Sequence, residues 1–189
     1  MHRTSKIFIA GHNEAIENSL KKHFQAQGFS HVISNSHDRI NVMDQLKVES
    51  FFKKFKPEYV FLGSLRSGGI AANQQFPAEF IYQNSQSQAL VIDAAHRHGV
   101  KKLLYFSSSC VYPKAAKQPI KESSLLTGPI EETSAPYAAA KIAGTKMVQA
   151  YKSQYNFNAI AAVPATLYGP GSDTDIETAH VLGALIAKK

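Results

Sequence analysis

Short all-apolar runs alternate with longer amphipathic ones along most of this chain. Ile7-Phe8-Ile9 leads into a stretch whose Ile16, Leu20 and Phe24 recur on one helical face and stop at Gly28. Val32-Ile33 is a second run. Asp44 then stands where a helix cap belongs, ahead of Leu46, Phe51, Phe52 and Phe55 and before Pro57. Tyr59-Val60-Phe61-Leu62 is apolar throughout, as a strand covered on both faces requires. Pro77 near the first turn and Gly99 just past the end frame a long helix. Leu103-Leu104-Tyr105-Phe106 makes a fourth strand, residues 137–155 a helix, and Ala159-Ile160-Ala161-Ala162-Val163 a fifth strand. The alternation predicts an α/β fold, a doubly wound parallel sheet of Rossmann-like type with ligands at the C-terminal strand ends. Residues 113–136, rich in Pro, Ser, Thr and Glu and without periodicity, predict a long loop over the sheet edge.

Composition narrows the class without naming a function. The 189 residues suit one domain with a sizeable core. The run Ile7-Phe8-Ile9-Ala10 is too short for a membrane span or a signal-peptide core, so a soluble, cytoplasmic protein with no membrane partner is expected. A single cysteine, Cys110, excludes an internal disulfide and suits a reducing compartment. The formal charge of +7 invites a polyanionic partner, but the basic residues are scattered and no basic stripe is interleaved with aromatics. No nucleic-acid partner is expected; a solvated basic surface is the first reading and a phosphate-bearing small ligand the second. The histidines, among them His96 and His98, form no metal-ligand arrangement.

The chemistry-bearing residues follow the fourth strand. Ser107-Ser108-Ser109-Cys110-Val111-Tyr112 stands at its end, and Tyr137-Ala138-Ala139-Ala140-Lys141 comes later. Tyr and Lys four apart on a helix share a face, so the ammonium is expected to lower the phenol's pKa and make it a usable acid/base. A serine at a strand end can meanwhile hydrogen-bond a substrate carbonyl. The Tyr-Lys spacing alone is weak evidence, since tyrosines and lysines are abundant; its position after a serine-rich strand end gives it weight.

Longer stretches carry a resemblance. They are Gly68-Gly69-Ile70-Ala71-Ala72-Asn73, Pro77-Ala78-Glu79-Phe80-Ile81-Tyr82-Gln83-Asn84, Ser108-Ser109-Cys110-Val111-Tyr112-Pro113-Lys114, Ala116-Lys117-Gln118-Pro119, Pro136-Tyr137-Ala138 with Lys141-Ile142-Ala143-Gly144, and Leu167-Tyr168-Gly169-Pro170. With these the chain resembles the GDP-L-fucose synthase family of extended short-chain dehydrogenases/reductases. The resemblance implies an NADPH-dependent 3,5-epimerase/4-reductase acting on GDP-4-keto-6-deoxymannose, and a homodimer built on the long helices. It implies Ser108, Tyr137 and Lys141 as the reductase triad, and Cys110 with His180 as the pair moving protons beside the ketone, a thiol and an imidazole both being tunable towards neutral pH. It further implies Gly11, His12, Asn13, Ile16, Arg39, Tyr137, Lys141, Pro164, Leu167 and His180 around the cofactor, and Ser109, Thr166 and Lys188 around the substrate. Without that frame Cys110 reads first as a small core hydrophobe and His180 as a solvated loop residue.

Three departures bear on these implications. The family's G-x-x-G-x-x-G turn is here Gly11, Glu14 and Glu17, two carboxylates where close backbone approach and the helix dipole would favour a pyrophosphate, so charge repulsion and obstruction predict weaker cofactor binding. In the first turn and after the second strand the family reads the NADP 2′-phosphate with arginines; this chain offers Asn13 in the one place and Asn35 and His37 in the other, Arg39 is either a substitute or a solvated residue, and NAD is not excluded. The family's chain also continues well beyond residue 189, so residues 1–170 read as the dinucleotide-binding domain and residues 171–189 as the start of a truncated substrate domain, with Val181, Leu182, Leu185 and Ile186 on its first helix. Two readings therefore stand: a nucleotide-sugar reductase/epimerase, and a truncated, catalytically impaired relative that keeps the fold as a binding or assembly module.

Overall fold

A computed structural model describes residues 1–11, 14–35, 38–175, 179 and 181–188; the side chains of Glu14 and Ala187 are left aside. Five strands, β1 (Lys6–Ala10), β2 (His31–Ser34), β3 (Tyr59–Leu62), β4 (Lys102–Phe106) and β5 (Ala159–Ala162), form one sheet in the order β2-β1-β3-β4-β5. Every pairing is parallel, with Ile7 beside both Val32 and Tyr59. The expected doubly wound parallel sheet is therefore what forms. The chain turns outward from β1 in both directions, so the β1/β3 boundary is the switch point where such sheets open a crevice.

The helices are α1 (Glu14–Ala26), α2 (Gln45–Phe55), α3 (Ile70–Gln75), α4 (Pro77–Arg97), α5 (Ala135–Tyr155) and α6 (Val181–Ala187). Strand alternation divides the core between the two sheet faces. Phe8, Val60, Leu62, Leu103 and Tyr105 meet Val48 and Phe52 of α2, Val91 and Ile92 of α4, and Val148 of α5. Ile7 and Ile9 pack on the other side against Phe24 of α1, with Leu20, Tyr59 and Phe61. Among the described residues no helix is long and apolar enough to cross a membrane.

Two local differences from the sequence reading have simple causes. Asp44 does cap α2, its carboxylate accepting from the Lys47 N–H, and that cap sets the helix phase. Val48 and Phe52, four apart, turn inward as a result, while Leu46 is 80% exposed and not part of the buried face. The helix α3 is not expected from periodicity at all. Its first turn is tied down by Asn73, which is buried and donates through Nδ2 to the carbonyls of Gly68 and Gly69.

α4 and α5 lie against each other over β4, and Gly144 is what lets them close. A Cβ there would run into the Tyr105 hydroxyl and come 2.6 Å from Gln88 Oε1. In that space the Tyr105 hydroxyl donates to Gln88 Oε1 (2.6 Å), and Gln88 Nε2 donates to the Ala140 carbonyl of α5 (2.7 Å). The loop at residues 113–136 closes on itself through the Lys114–Glu131 ion pair and the Lys114 N–H to Pro129 carbonyl bond. Its Ile120, Glu122 and Leu125 flank β5, at the sheet edge where the loop is expected.

Candidate active site

The start of α5 lies beside the C-terminal end of β4 because the strand and helix run antiparallel across one crossover. This brings Tyr137 and Lys141 to the serine-rich turn. Ser108, Ser109 and Tyr137 line one cleft together with Ile16 of α1 and Pro164, Thr166 and Leu167 after β5. The Cys110 thiol donates to Ser108 Oγ at 3.2 Å. Ser107, just behind, is buried and shares a 2.9 Å hydroxyl contact with Thr145 of α5.

Lys141 does not lie where the helical spacing alone suggests. It is 1% exposed, its Nζ donates to the Phe106 carbonyl at 2.7 Å, and it sits 4.6 Å from the Tyr105 ring centroid. The Tyr137 ring is farther, at 5.9 Å. Burial removes water from the ammonium and brings its pKa down to about 7. Burial likewise pushes the Tyr137 phenol up to about 12, against the pull of hydroxyl bonds from Ser64 and Ser108. The phenol is therefore raised, not lowered as expected: burial is the largest influence on it, and the Lys141 ammonium donates to the Phe106 carbonyl instead. The Cys110 thiol is also raised by burial, opposed by Ser108 and Lys141, so it is not tuned towards neutral pH as expected.

The glycine turn holds one of its three expected features. Gly11 has φ +154, and a Cβ on it would come 3.3 Å from both Gly63 Cα and Ser64 O, so only glycine lets β1 and β3 approach there. The Gly11 N–H donates to Asn35 Oδ1 at 2.6 Å, and Asn35 is itself buried. Asn35 therefore ties the turn instead of presenting itself to a 2′-phosphate. Glu17 is 2% exposed and lines a small cavity with Ile9, Ala10, Leu20 and Phe61. It occupies the packing position beneath the turn, not its open mouth, which does not support the charge-repulsion expectation for that residue.

Of the remaining expected residues, Arg39 is exposed with a left-handed backbone (φ 54) and does not line the cleft. Lys188 is exposed just past α6 and is not among the lining residues either. His12, Asn13, His37 and His180 lie outside the described residues. Sequence reasoning passed over Gly63, Ser64, Ser67 and Phe106, which also line the cleft. Ser64 is the most consequential of them: its hydroxyl is 2.8 Å from Tyr137 Oη. The available signal was its position, directly after β3 at the switch point.

The parallel sheet thus has a cleft at its switch point, with the close approach at Gly11 on one side and Ser108 and Tyr137, backed by Lys141, on the other. The chain belongs to the NAD dependent epimerase/dehydratase family, whose pattern matches residues 7–189. GDP-L-fucose synthase 1 of Arabidopsis thaliana is 46% identical over 186 residues, covering 98% of this chain and 58% of that protein. GDP-L-fucose synthase of Escherichia coli (strain K12) is 39% identical over 183 residues, covering 97% and 57%. Among solved structures, a GDP-D-glycero-L-gluco-heptose synthase from Campylobacter jejuni in the presence of NADPH superposes with a TM-score of 0.93 at 39% identity. It is matched along 100% of this chain and 55% of its own. The chain thus spans a little over half the length of the relatives it matches.

Proposed function

We propose that this chain carries the cofactor-binding and catalytic half of an NADP-dependent nucleotide-sugar reductase/epimerase of the GDP-L-fucose synthase type, acting on GDP-4-keto-6-deoxymannose. The observation that carries the reading is the convergence of Ser108 and Tyr137 on one cleft, with the Cys110 thiol bonded to Ser108 and Lys141 buried behind them. Tyr137 holds the proton destined for the ketone oxygen, and its raised pKa keeps that proton in place until a developing alkoxide draws it. Ser108 donates a hydrogen bond to the same oxygen. Cys110 and His180 move protons on the carbons flanking the ketone. Lys141, brought by burial to about 7 and so able to gain or lose a proton near neutral pH, is the group that replaces the Tyr137 proton in this reading.

The cradle at Gly11, closed to any side chain, fits the backbone approach that a dinucleotide needs. When bound, NADPH supplies the hydride. Gly11, His12, Asn13, Ile16, Pro164 and Leu167 would hold it, with Arg39 for the 2′-phosphate; NAD is the alternative cofactor. Ser109, Thr166 and Lys188 would meet the sugar nucleotide. Residues 1–170 form the dinucleotide-binding domain in this reading, residues 171–189 begin the substrate domain, and α4 with α5 supply a homodimer face.

One observation favours the second reading, a relative that keeps the fold as a binding or assembly module: the Gly11 N–H is already satisfied by Asn35. Calorimetric titration of the chain with NADPH, followed by NADPH absorbance on adding GDP-4-keto-6-deoxymannose, separates the two. The expected outcome is saturable binding, with turnover abolished in Tyr137→Phe. Absence of binding heat sinks the enzymatic reading, and undiminished turnover in Tyr137→Phe sinks the triad. A parallel titration of Glu14→Gly/Glu17→Gly shows whether those residues cost anything at the turn: tighter binding marks an impaired cofactor site, and unchanged binding clears the two carboxylates.

A further inference from the structure

The residue that meets the Tyr137 hydroxyl most directly comes from β3, not from the serine-rich turn. Ser64 Oγ stands 2.8 Å from Tyr137 Oη, and both line the same cleft. The backbone around Ser64 has little freedom. On one side Gly63 N–H donates to the Ala10 carbonyl at 2.6 Å, and the chain there lies against the Gly11 turn. On the other side Asn84, 1% exposed on α4, accepts from the N–H groups of Leu65 (2.9 Å) and Arg66 (3.1 Å) through Oδ1. Asn84 Nδ2 donates back to the Arg66 carbonyl at 2.9 Å and to the Phe80 carbonyl at 2.8 Å. The Tyr137 ring is also held, edge to face with Phe80 at 6.1 Å between centroids. A hydroxyl pair clamped from both partners is a fixed geometry, not an encounter of two mobile side chains.

We propose that Ser64 is a positioning residue for the Tyr137 phenol: it aims the hydroxyl into the cleft and donates to the oxygen when that oxygen carries negative charge. The inference rests on the functional reading above for its biological meaning, but its physical content does not. With the phenol neutral, either hydroxyl can donate to the other. Once Tyr137 gives up its proton, only Ser64 of this pair retains one, and its bond to the phenolate becomes charge-assisted and shorter. Ser64 thereby favours the deprotonated form, in opposition to the burial that disfavours it. Because Ser64 O also abuts the Gly11 turn, the same short segment joins the proposed nucleotide side of the cleft to the Tyr137 phenol.

The test reads the phenol itself. The 189-residue chain is labelled with 3,5-difluorotyrosine, whose greater acidity brings the titration into a milder pH range, and the Tyr137 signal is assigned in ¹⁹F NMR by its loss in Tyr137→Phe. Ser64→Ala is expected to raise the Tyr137 midpoint by about 0.5 to 1 unit, a three- to tenfold loss of acidity, while the other tyrosines stay put. Ser64→Thr, which keeps the hydroxyl, is expected to titrate with the parent. An unchanged or lowered midpoint in Ser64→Ala overturns the proposal, and so does a shift in Ser64→Thr equal to that in Ser64→Ala. Should Ser64→Ala fail to fold, Ser64→Cys keeps the volume with a weaker donor, and the same upward shift or its absence decides. The titration involves neither NADPH nor sugar, so its failure is distinguishable from a failure of the proposed activity.

Discussion

The two ends of α5 hold tyrosines in opposite kinds of surroundings. At its start Tyr137 sits among hydroxyls, a thiol and a buried amine: Ser64, Ser108, Cys110 and Lys141. Near its end the Tyr151 hydroxyl donates to Asp93 Oδ1 at 2.9 Å, and Asp93 also accepts from Arg97, which pairs with Glu49 of α2. His98 Nε2 lies 3.0 Å from the same Glu49. Both phenols are pushed up to about 12 with burial as the first cause, but only Tyr151 is helped there by a hydrogen bond to an anion. The lower network is made of permanent ions that remain half in water and bind three helices together. The upper one is made of groups that burial has moved towards neutrality. Paired, hydrated charges hold their protonation states over a wide pH range; among the desolvated groups burial holds Tyr137 and Cys110 neutral and brings Lys141 alone to titrate near pH 7.

That contrast breaks first at Lys141. Its folded pKa of about 7 lies below the unfolded value near 10.5, so the unfolded chain binds the extra proton between those limits. The contribution of Lys141 to stability should therefore be constant well below pH 7 and climb as pH rises from about 7 towards 10, by on the order of 3 kcal/mol. Denaturation of parent and Lys141→Met across this range should give a difference that carries the climb; a flat difference would mean that the amine keeps its charge when buried. A second break is steric. Gly144→Val forces a side chain between Tyr105 and Gln88 and should cost about 2–3 kcal/mol, read as a drop in Tm of roughly 5–10 °C.

The smallest effect belongs to the lower end. Bonds from Arg97 and His98 hold the Glu49 carboxylate down at about 2, below its usual 4.5. Its stabilising contribution is complete above pH 4.5 and lost as the pH falls towards 2. Glu49→Gln should therefore remove part of the acid limb of the stability profile and leave the range from pH 7 to 10 untouched. Since the Glu49 side chain is 32% exposed, added salt should shrink that limb. If Glu49→Gln instead altered the alkaline climb, the two ends would not be independent.

How far the sequence could be read depended on whether a feature is local. The strands were legible because β1 and β3 are buried on both faces and leave almost no polar position in their runs. Which apolar residues of α2 turn inward was not legible, since several compete along it; Val48 and Phe52 are buried and Leu46 is exposed. α3 left no periodic trace because Asn73 bonds and a glycine pair hold its start, not an amphipathic face. At the site, Ser108, Cys110, Tyr137 and Lys141 were visible as spacings within short segments. The partnership of Ser64 and Tyr137 was not, because 73 residues separate them and only the sheet order brings them together.

By itself the sequence determined the alternation of strands and helices, the glycine that ends β1 and the placing of Tyr137 and Lys141 one helical turn apart. These follow from side-chain size, polarity and period, which neighbours in the chain settle among themselves. Tertiary structure alone decided what those groups became. It turned Glu17 into the interior, gave the Gly11 N–H to Asn35, aimed Lys141 at the Phe106 carbonyl and set Ser64 against Tyr137. The physical reason is desolvation: a titratable group takes its pKa and its partner from the atoms that replace water around it, and those atoms come from distant parts of the chain.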